Sequence, residues 1–419
     1  MTTNANEKTQ SISQFFILWS GQAVSLLGSQ LVQFALIWWL TQETKSATIL
    51  AMASMVGLLP QVVLGPFIGA LVDRWNRRQI MLVADSVVAL ASLVLAILFV
   101  SGNVLIWQVF LIMFIRSIGG GFHGPAMVAS TSLMVPSEHL TRIQGLNQTM
   151  NGGLNIISAP LGAILLELMP IEGILCIDVI TAIFAIVPLF FVSIPQPETS
   201  KGDGESTSTV LEEVRIGFRY MLGFPGLMAI AIMAVLINML LTPAFSLMPI
   251  LVTDHFDGEV LHLGGIQSAM GVGVVLGGVV LGAWGGFKRR MLTSISGLLV
   301  LGLAVLTIGL IPASMFSVAT VAMFFVGAMM PIVNGPIMAV LQVTVTPEMQ
   351  GRVFTLLQSA AGAMSPVGLA IAGPIADWLG VQTWYIAGGI VCFLMGVVGF
   401  FLPAVAHIDD NQVRGATQR

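Results

Sequence analysis

Three ionisable residues stand inside long apolar runs of this sequence: Asp85, Arg116 and Asp178. A charge in hydrocarbon is costly, so each is a candidate for function. Arg116 keeps its proton in any protein setting. The two carboxylates can gain and lose one, and a carboxyl in a low dielectric favours its neutral form until its surroundings change. That is the chemistry of a proton-coupled device, with a carboxylate as carrier and Arg116 as relay or charge balance. The competing reading is a structural ion pair or hydrogen bonding. Two stripes of neutral polar residues accompany them. Gln22, Ser25, Ser29 and Gln33 are spaced 3, 4 and 4 apart, on one face of a helix. Gln144, Gln148, Asn151, Asn155 and Ser158 form the second stripe. Such stripes line a cavity or hydrogen-bond a neighbouring helix.

Enzymatic chemistry finds no support. No Ser/His/Asp set, metal cluster or suitably paired carboxylates stand out, and no cofactor is called for. His255 and His262 lie near one loop and read as ordinary residues there. Cys176 and Cys392 sit in apolar runs and read as small hydrophobes. The glycine-rich string 271–278 is not followed by the Lys-Ser or Lys-Thr of a phosphate-binding loop.

The elements that position these residues follow from composition. Of 419 residues, 56% are apolar and 9% charged, where a soluble domain carries about 25% charged residues. A bilayer crossing takes about 20 apolar residues per helix. The apolar runs are continuous and not alternating, which predicts helices and not a barrel. Breaks in hydropathy place them at 15–41, 47–72, 79–101, 105–134, 140–168, 172–193, 224–252, 260–286, 290–311, 314–345, 350–378 and 382–404. The first run is too long for a signal peptide and reads as a permanent helix. The expectation is an all-α membrane protein, with the lipid bilayer as its surroundings. The net charge of −4 and the scattered basic residues exclude a nucleic-acid partner.

With the N-terminus in the cytoplasm, 14 of the 16 basic residues fall on the cytoplasmic side, as the positive-inside rule requires. The reading is therefore a multi-pass protein of the cell (inner) membrane with both termini cytoplasmic, and a monomer is expected. The run 197–209, rich in Ser, Thr, Gly and charge, has the composition of a flexible linker. It separates halves that repeat each other at a period of 210 to 213 residues. Gly69-Ala70…Arg77-Arg78 recurs as Gly282-Ala283…Arg289-Arg290, Gly124-Pro125-x-Met127 as Gly335-Pro336-x-Met338, and Pro136-x-Glu138-x-x-x-Arg142 as Pro347-Glu348-x-x-x-Arg352. Gln148 and Gln358 follow in register. The organisation expected is a six-helix bundle over 1–194, a cytoplasmic linker over 195–222, a second bundle over 223–405 and a tail over 406–419. Duplicated six-helix halves are a transporter architecture.

The loop after the second helix reads Gly69-Ala-Leu-Val-Asp73-Arg74-Trp-Asn76-Arg77-Arg78. It resembles the signature G-x-L-x-D-R-x-G-R-R of the major facilitator superfamily, with Asn76 replacing a glycine. Asn tolerates positive φ better than most residues, so the turn is expected to survive. The resemblance implies two pseudo-symmetric bundles of six helices and a cytoplasmic gate built on Gly69, Asp73, Arg74, Arg77 and Arg78. Trp19-Ser-Gly-Gln-Ala-Val-Ser25, Ser54-Met-Val-Gly-Leu-Leu-Pro60, Phe114-Ile-Arg-Ser-Ile-Gly119, Cys176-Ile-Asp-Val179, Phe287-Lys-Arg and Gly351-Arg-Val-Phe354 are similar to the macrolide-efflux branch of drug:proton antiporters. That branch implies export of small hydrophobic molecules, driven by protons, with Arg116, Asp178 and Asp85 as coupling candidates. It also implies a cavity lined by helices one, four, seven and ten. To Gln22, Ser25, Ser29 and Gln33 this adds His123, Asn238, Asn334 and Gln342, with Gln148 and Asn151 from helix five. Two departures stand against it: helix one carries no acidic residue, and Ala159-Pro160-Leu-Gly162-Ala163 keeps the proline of an antiporter motif but loses two glycines. The rival readings are a carrier of other cargo (a siderophore exporter, a lysophospholipid flippase or a nutrient importer) and a membrane sensor without transport.

Overall fold

Long apolar runs leave the backbone one way to satisfy its polar groups in hydrocarbon, and the chain takes it. The computed structural model describes residues 3–192, 194 and 210–403, and among these there is no strand. The helices are α1 (Thr3–Thr44), α2 (Ala47–Arg74), α3 (Arg77–Val100), α4 (Ile106–Met134), α5 (Ser137–Leu168), α6 (Ile171–Phe191), α7 (Val210–Leu222), α8 (Pro225–Ser246), α9 (Met248–Ile250), α10 (Val260–Trp284), α11 (Arg290–Leu310), α12 (Phe316–Thr344), α13 (Pro347–Leu379) and α14 (Val381–Phe401). All but α7 and α9 are long and apolar enough to cross a membrane, giving the twelve spans expected.

Two features depart from the sequence reading. The segment expected as linker contains α7, an amphipathic helix that buries Gly217 and Met221 and exposes Arg215, Phe218 and Arg219. The rest of that segment up to residue 209 lies outside the described residues, as does the 406–419 tail. The seventh span is not one continuous helix. At Leu247 (φ −89, ψ 3) α8 gives way to the single turn of α9, followed by a π-helical turn over Leu251–His255. Pro243 and Pro249 flank the break, each removing a backbone donor from the ladder.

The described chain forms two compact units. Unit 1 holds α1, most of α2, and α3–α6. In it α1 packs on α4, α5 and α6, and α3 packs on α4 and α6. Unit 2 holds α7–α14 together with residues 45–52, the start of α2. In it α12 packs between α10 and α11, α14 lies on α11, and α13 on α8. The internal repeat is visible in the cores. Met81, Val135 and Ile143 are buried in unit 1, and Met291, Val345 and Val353, each 210 residues on, are buried in unit 2.

Glycines at α10 set the closest approach in unit 2. A Cβ at Gly273 would stand 2.1 Å from the Phe324 carbonyl oxygen, and one at Gly277 2.1 Å from that of Ala328. Gly327 faces back, with a Cβ position 2.0 Å from the Met270 carbonyl oxygen. The first small-x-x-x-small pair therefore makes the contact with α12. The second pair, Gly278 and Gly282, has open space where its Cβ atoms would be.

The start of α2 is capped from a distant part of unit 2. Asp377 of α13 accepts hydrogen bonds from Ala47 N (2.6 Å), Thr48 N (3.0 Å) and Ser46 Oγ (3.0 Å). The carboxylate satisfies orphan donors at the positive end of the helix dipole. Replacing a capping carboxylate with Ala typically costs about 1 kcal/mol. Asp377→Ala is expected to lower the thermal midpoint of the detergent-purified protein, and Asp377→Asn, which keeps an accepting oxygen, to lower it less.

Candidate functional site

The polar residues of unit 1 collect into two layers, and glycines make room for them. On α1, Gly21 and Gly28 let α6 come close: a Cβ at Gly28 would lie 3.1 Å from Asp178 Cα. On α4, Gly119 brings α3 near, its Cβ position being 3.3 Å from the Ala84 carbonyl oxygen.

The first layer is centred on Asp178, which is 1% exposed. Its Oδ2 accepts from Arg116 Nη1 at 2.5 Å and from Ser92 Oγ at 2.6 Å. Its Oδ1 accepts from Ser29 Oγ at 3.0 Å. Arg116 also donates to Ser92 Oγ and, at 3.4 Å, to the Ser29 carbonyl. Four helices meet here, and each carboxylate oxygen is bonded.

The second layer joins Gln22, Asp85 and His123, all buried. Gln22 Nε2 donates to Asp85 Oδ2 at 2.9 Å, and Gln22 Oε1 meets His123 Nε2 at 2.8 Å. His123 Nε2 is 3.5 Å from Asp85 Oδ1. A carboxylate only accepts, so the amide nitrogen faces it and the amide oxygen is left to accept from the ring. His123 therefore carries its proton on Nε2. The members of the two layers are seven residues apart on each of three helices: 22 and 29 on α1, 85 and 92 on α3, 116 and 123 on α4. At 1.5 Å per residue the layers are about 10 Å apart.

Sequence reasoning singled out Asp85, Arg116 and Asp178, and the structure ties each of them to other polar groups. Gln22, Ser29 and His123, expected as cavity lining, are engaged by those carboxylates within the bundle. Ser25 is buried, while Gln33, Gln148, Asn151 and Gln342 are exposed. Ser92 was not foreseen, though its place seven residues after Asp85 was a usable signal. Trp19 donates to Asn147 at 2.7 Å, a further link between α1 and α5 absent from the expectations.

At the α2–α3 loop, Asn76 does not adopt positive φ, contrary to expectation. It is extended (φ −66, ψ 111) and caps α3, its side chain accepting from Gln79 N. Asn suits that role as well as it suits a left-handed turn, and here the cap wins. Arg77 is buried and donates to the Ala129 carbonyl at 3.1 Å. Arg78 donates to the carbonyls of Leu189 and Phe190 in the last turn of α6. A cation at a helix C-terminus is favoured there. Arg74 is exposed and Gly69 half-buried, and the Asp73 side chain lies outside the described residues.

Unit 2 holds a cavity of about 200 Å³. Its wall is largely apolar, from Ile230 and Leu298 to Phe354, with Asn238, Asn334 and Gln358 as polar points. Asn238 Nδ2 donates to the Ala234 carbonyl, which leaves its amide oxygen available. Gln358 was legible only as the repeat of Gln148. The 211-residue offset that matches Gly124 to Gly335 also carries His123 to Asn334 and Arg116 to Gly327. The repeat thus keeps a polar residue at this position, in a buried layer in unit 1 and at the cavity in unit 2, and replaces the cation by a backbone contact.

The two histidines near the loop after α9 are otherwise occupied. His255 contacts the Gln382 amide and, at 2.9 Å, the Ile311 carbonyl. His262 Nδ1 accepts from Glu259 N. No cluster of metal-ligating side chains occurs among the described residues.

The sequence profile of the Major Facilitator Superfamily matches residues 18–367. Macrolide efflux protein A of Streptococcus pyogenes is 33% identical over 398 residues, covering 94% of this chain and 97% of that protein. Multidrug efflux pump Tap of Mycolicibacterium fortuitum is 27% identical, covering 91% and 94%. Among solved structures, a bacterial homologue of the iron transporter ferroportin superposes with a TM-score of 0.69 at 12% identity, covering 92% of this chain and 98% of that one.

Proposed function

Because the chain belongs to the major facilitator superfamily, we propose that it exports hydrophobic, macrolide-like molecules by alternating access in exchange for protons. Family membership makes it a multi-pass membrane transporter and not an enzyme. The observation that carries the cargo reading is the unit 2 cavity, with its apolar wall and few polar points. Small-molecule sites have this character. Its volume is below the roughly 300–1,000 Å³ of a typical drug site, so it would hold one part of a large cargo. The similarity to a macrolide efflux protein supports the same class. Proton exchange is supported by the ionisable groups buried in unit 1: Asp85, Asp178, Arg116 and His123. The excess of basic residues in alternate loops supports a reading with both termini in the cytoplasm, in which the carrier is a monomer of the cell (inner) membrane. Arg74, Arg77 and Arg78 would then lie at its cytoplasmic gate.

The test is accumulation of radiolabelled erythromycin in a drug-sensitive bacterium expressing the protein. Lower accumulation than in empty cells, restored by collapsing the proton gradient, is the expected result. Unchanged accumulation across a panel of apolar drugs would remove the export reading. Asn334→Leu is expected to weaken erythromycin binding about 5-fold at unchanged expression, the loss of one hydrogen bond of about 1 kcal/mol. Equilibrium binding to the purified variant measures it.

A further inference from the structure

Two buried polar layers lie in unit 1, and only one of them is built to change its charge. In the first, Arg116 remains protonated throughout, and Asp178 is bonded on both oxygens. Adding a proton to Asp178 would leave the guanidinium buried without its counter-ion, a strongly unfavourable state. The layer is neutral and stays neutral.

The second layer has no fixed cation. Asp85 faces an imidazole, which can be neutral or charged, and not a permanently charged guanidinium. We propose, building on the proton-exchange reading above, that Asp85 and His123, bridged by Gln22, form the proton-carrying site and that Arg116 and Asp178 do not. With the ring neutral the pair carries a charge of −1. One proton, taken from water on one side of the membrane, brings it to 0, and returning that proton to water on the other side restores −1. Since His123 Nε2 already donates to Gln22, the nitrogen that accepts the proton is Nδ1. The protonated ring then has its Nε2 3.5 Å from a carboxylate oxygen of Asp85, so the charge added to the ring is offset by the neighbouring carboxylate. Gln22 keeps the two groups in one hydrogen-bonded chain in both charge states.

The surrounding helices supply little else that could carry the proton. On α1 no residue between Ile12 and Gln42 is ionisable. On α3 the other charges are Arg77 and Arg78, about two turns from Asp85. Besides His123, α4 has only Arg116; α5 has Glu138, His139 and Arg142 in its first two turns and Glu167 in its last; and α6 has Glu172, Cys176 and Asp178. Of these, Arg116 and Asp178 are committed to each other.

The experiment uses the full chain in proteoliposomes with radiolabelled erythromycin and two readouts: uptake driven by an imposed pH gradient, and erythromycin counterflow without one. Wild type should show both. Asp85→Asn should lose gradient-driven uptake at least 10-fold while retaining counterflow. His123→Gln keeps a polar partner for Gln22 but removes the ring that would take the proton, and should shift the pH profile of driven uptake. A retained counterflow shows that each variant is folded. Should Asp85→Asn fail to fold, His123→Gln decides alone. Full gradient-driven uptake with an unmoved pH profile in the variants, against a gradient-dependent wild type, overturns the assignment and leaves proton exchange standing. Wild-type uptake indifferent to the gradient overturns both.

Discussion

Arg116→Leu should cost the protein about 3–5 kcal/mol of stability, the usual result of removing one member of a buried ion pair. The variant leaves Asp178, 1% exposed, with two serines in place of its counter-charge. Asp178→Asn is the mirror case and should be similarly damaging, since a guanidinium then lacks its anion. The double variant Arg116→Met with Asp178→Leu is expected to recover most of the loss, because apolar replacement of a whole buried pair is often near neutral. Thermal melts of the four proteins in detergent, with the fraction eluting as a monodisperse peak, give the comparison. A double variant no better than the singles would mean that Ser29 and Ser92, left facing apolar side chains, matter as much as the pair.

The second large effect is steric. Gly277→Val puts a branched side chain where the Ala328 carbonyl oxygen is 2.1 Å from the Cβ position. A backbone oxygen cannot rotate aside, so α10 and α12 must separate along their contact. Overpacking of ordinary cores costs about 1–3 kcal/mol, and a backbone clash belongs at or above the upper end. Loss of folded protein on size exclusion is the expected outcome. Gly278→Val, one residue further on, meets open space and should express and melt like wild type. Equal damage from both would show that helix propensity, and not the helix contact, is responsible.

Much of the fold was legible because hydrophobic length and charge asymmetry are local signals. The twelve spans and the repeat at Gly124-Pro125 and Gly335-Pro336 needed no knowledge of contacts. Helix α7 was hidden because its segment follows a run that composition marks as a linker, and its apolar face is completed only by packing on α13 and α8. The break in the seventh span was hidden inside unbroken hydropathy, although Pro243 and Pro249 stood there. Asp377 could not be read as a cap, since its targets are some 330 residues away in sequence. The same limit explains the site. Asp85 and Asp178 were visible as charges in apolar runs, but Gln22 and His123 became partners of Asp85 only when α1 and α4 met α3. A residue's chemistry was readable from its type, and its partner was not.

The sevenfold spacing of the two polar layers constrains how unit 1 can move. Gln22 and Ser29, Asp85 and Ser92, and Arg116 and His123 act as paired teeth on three helices. Sliding α3 or α4 by a single turn would take both its teeth out of their layers at once, stranding a buried charge in each layer. No intermediate register keeps either layer whole. Unit 1 is thus keyed against internal shear, and any transport cycle must carry α1, α3 and α4 as one block, with its hinges elsewhere in the chain.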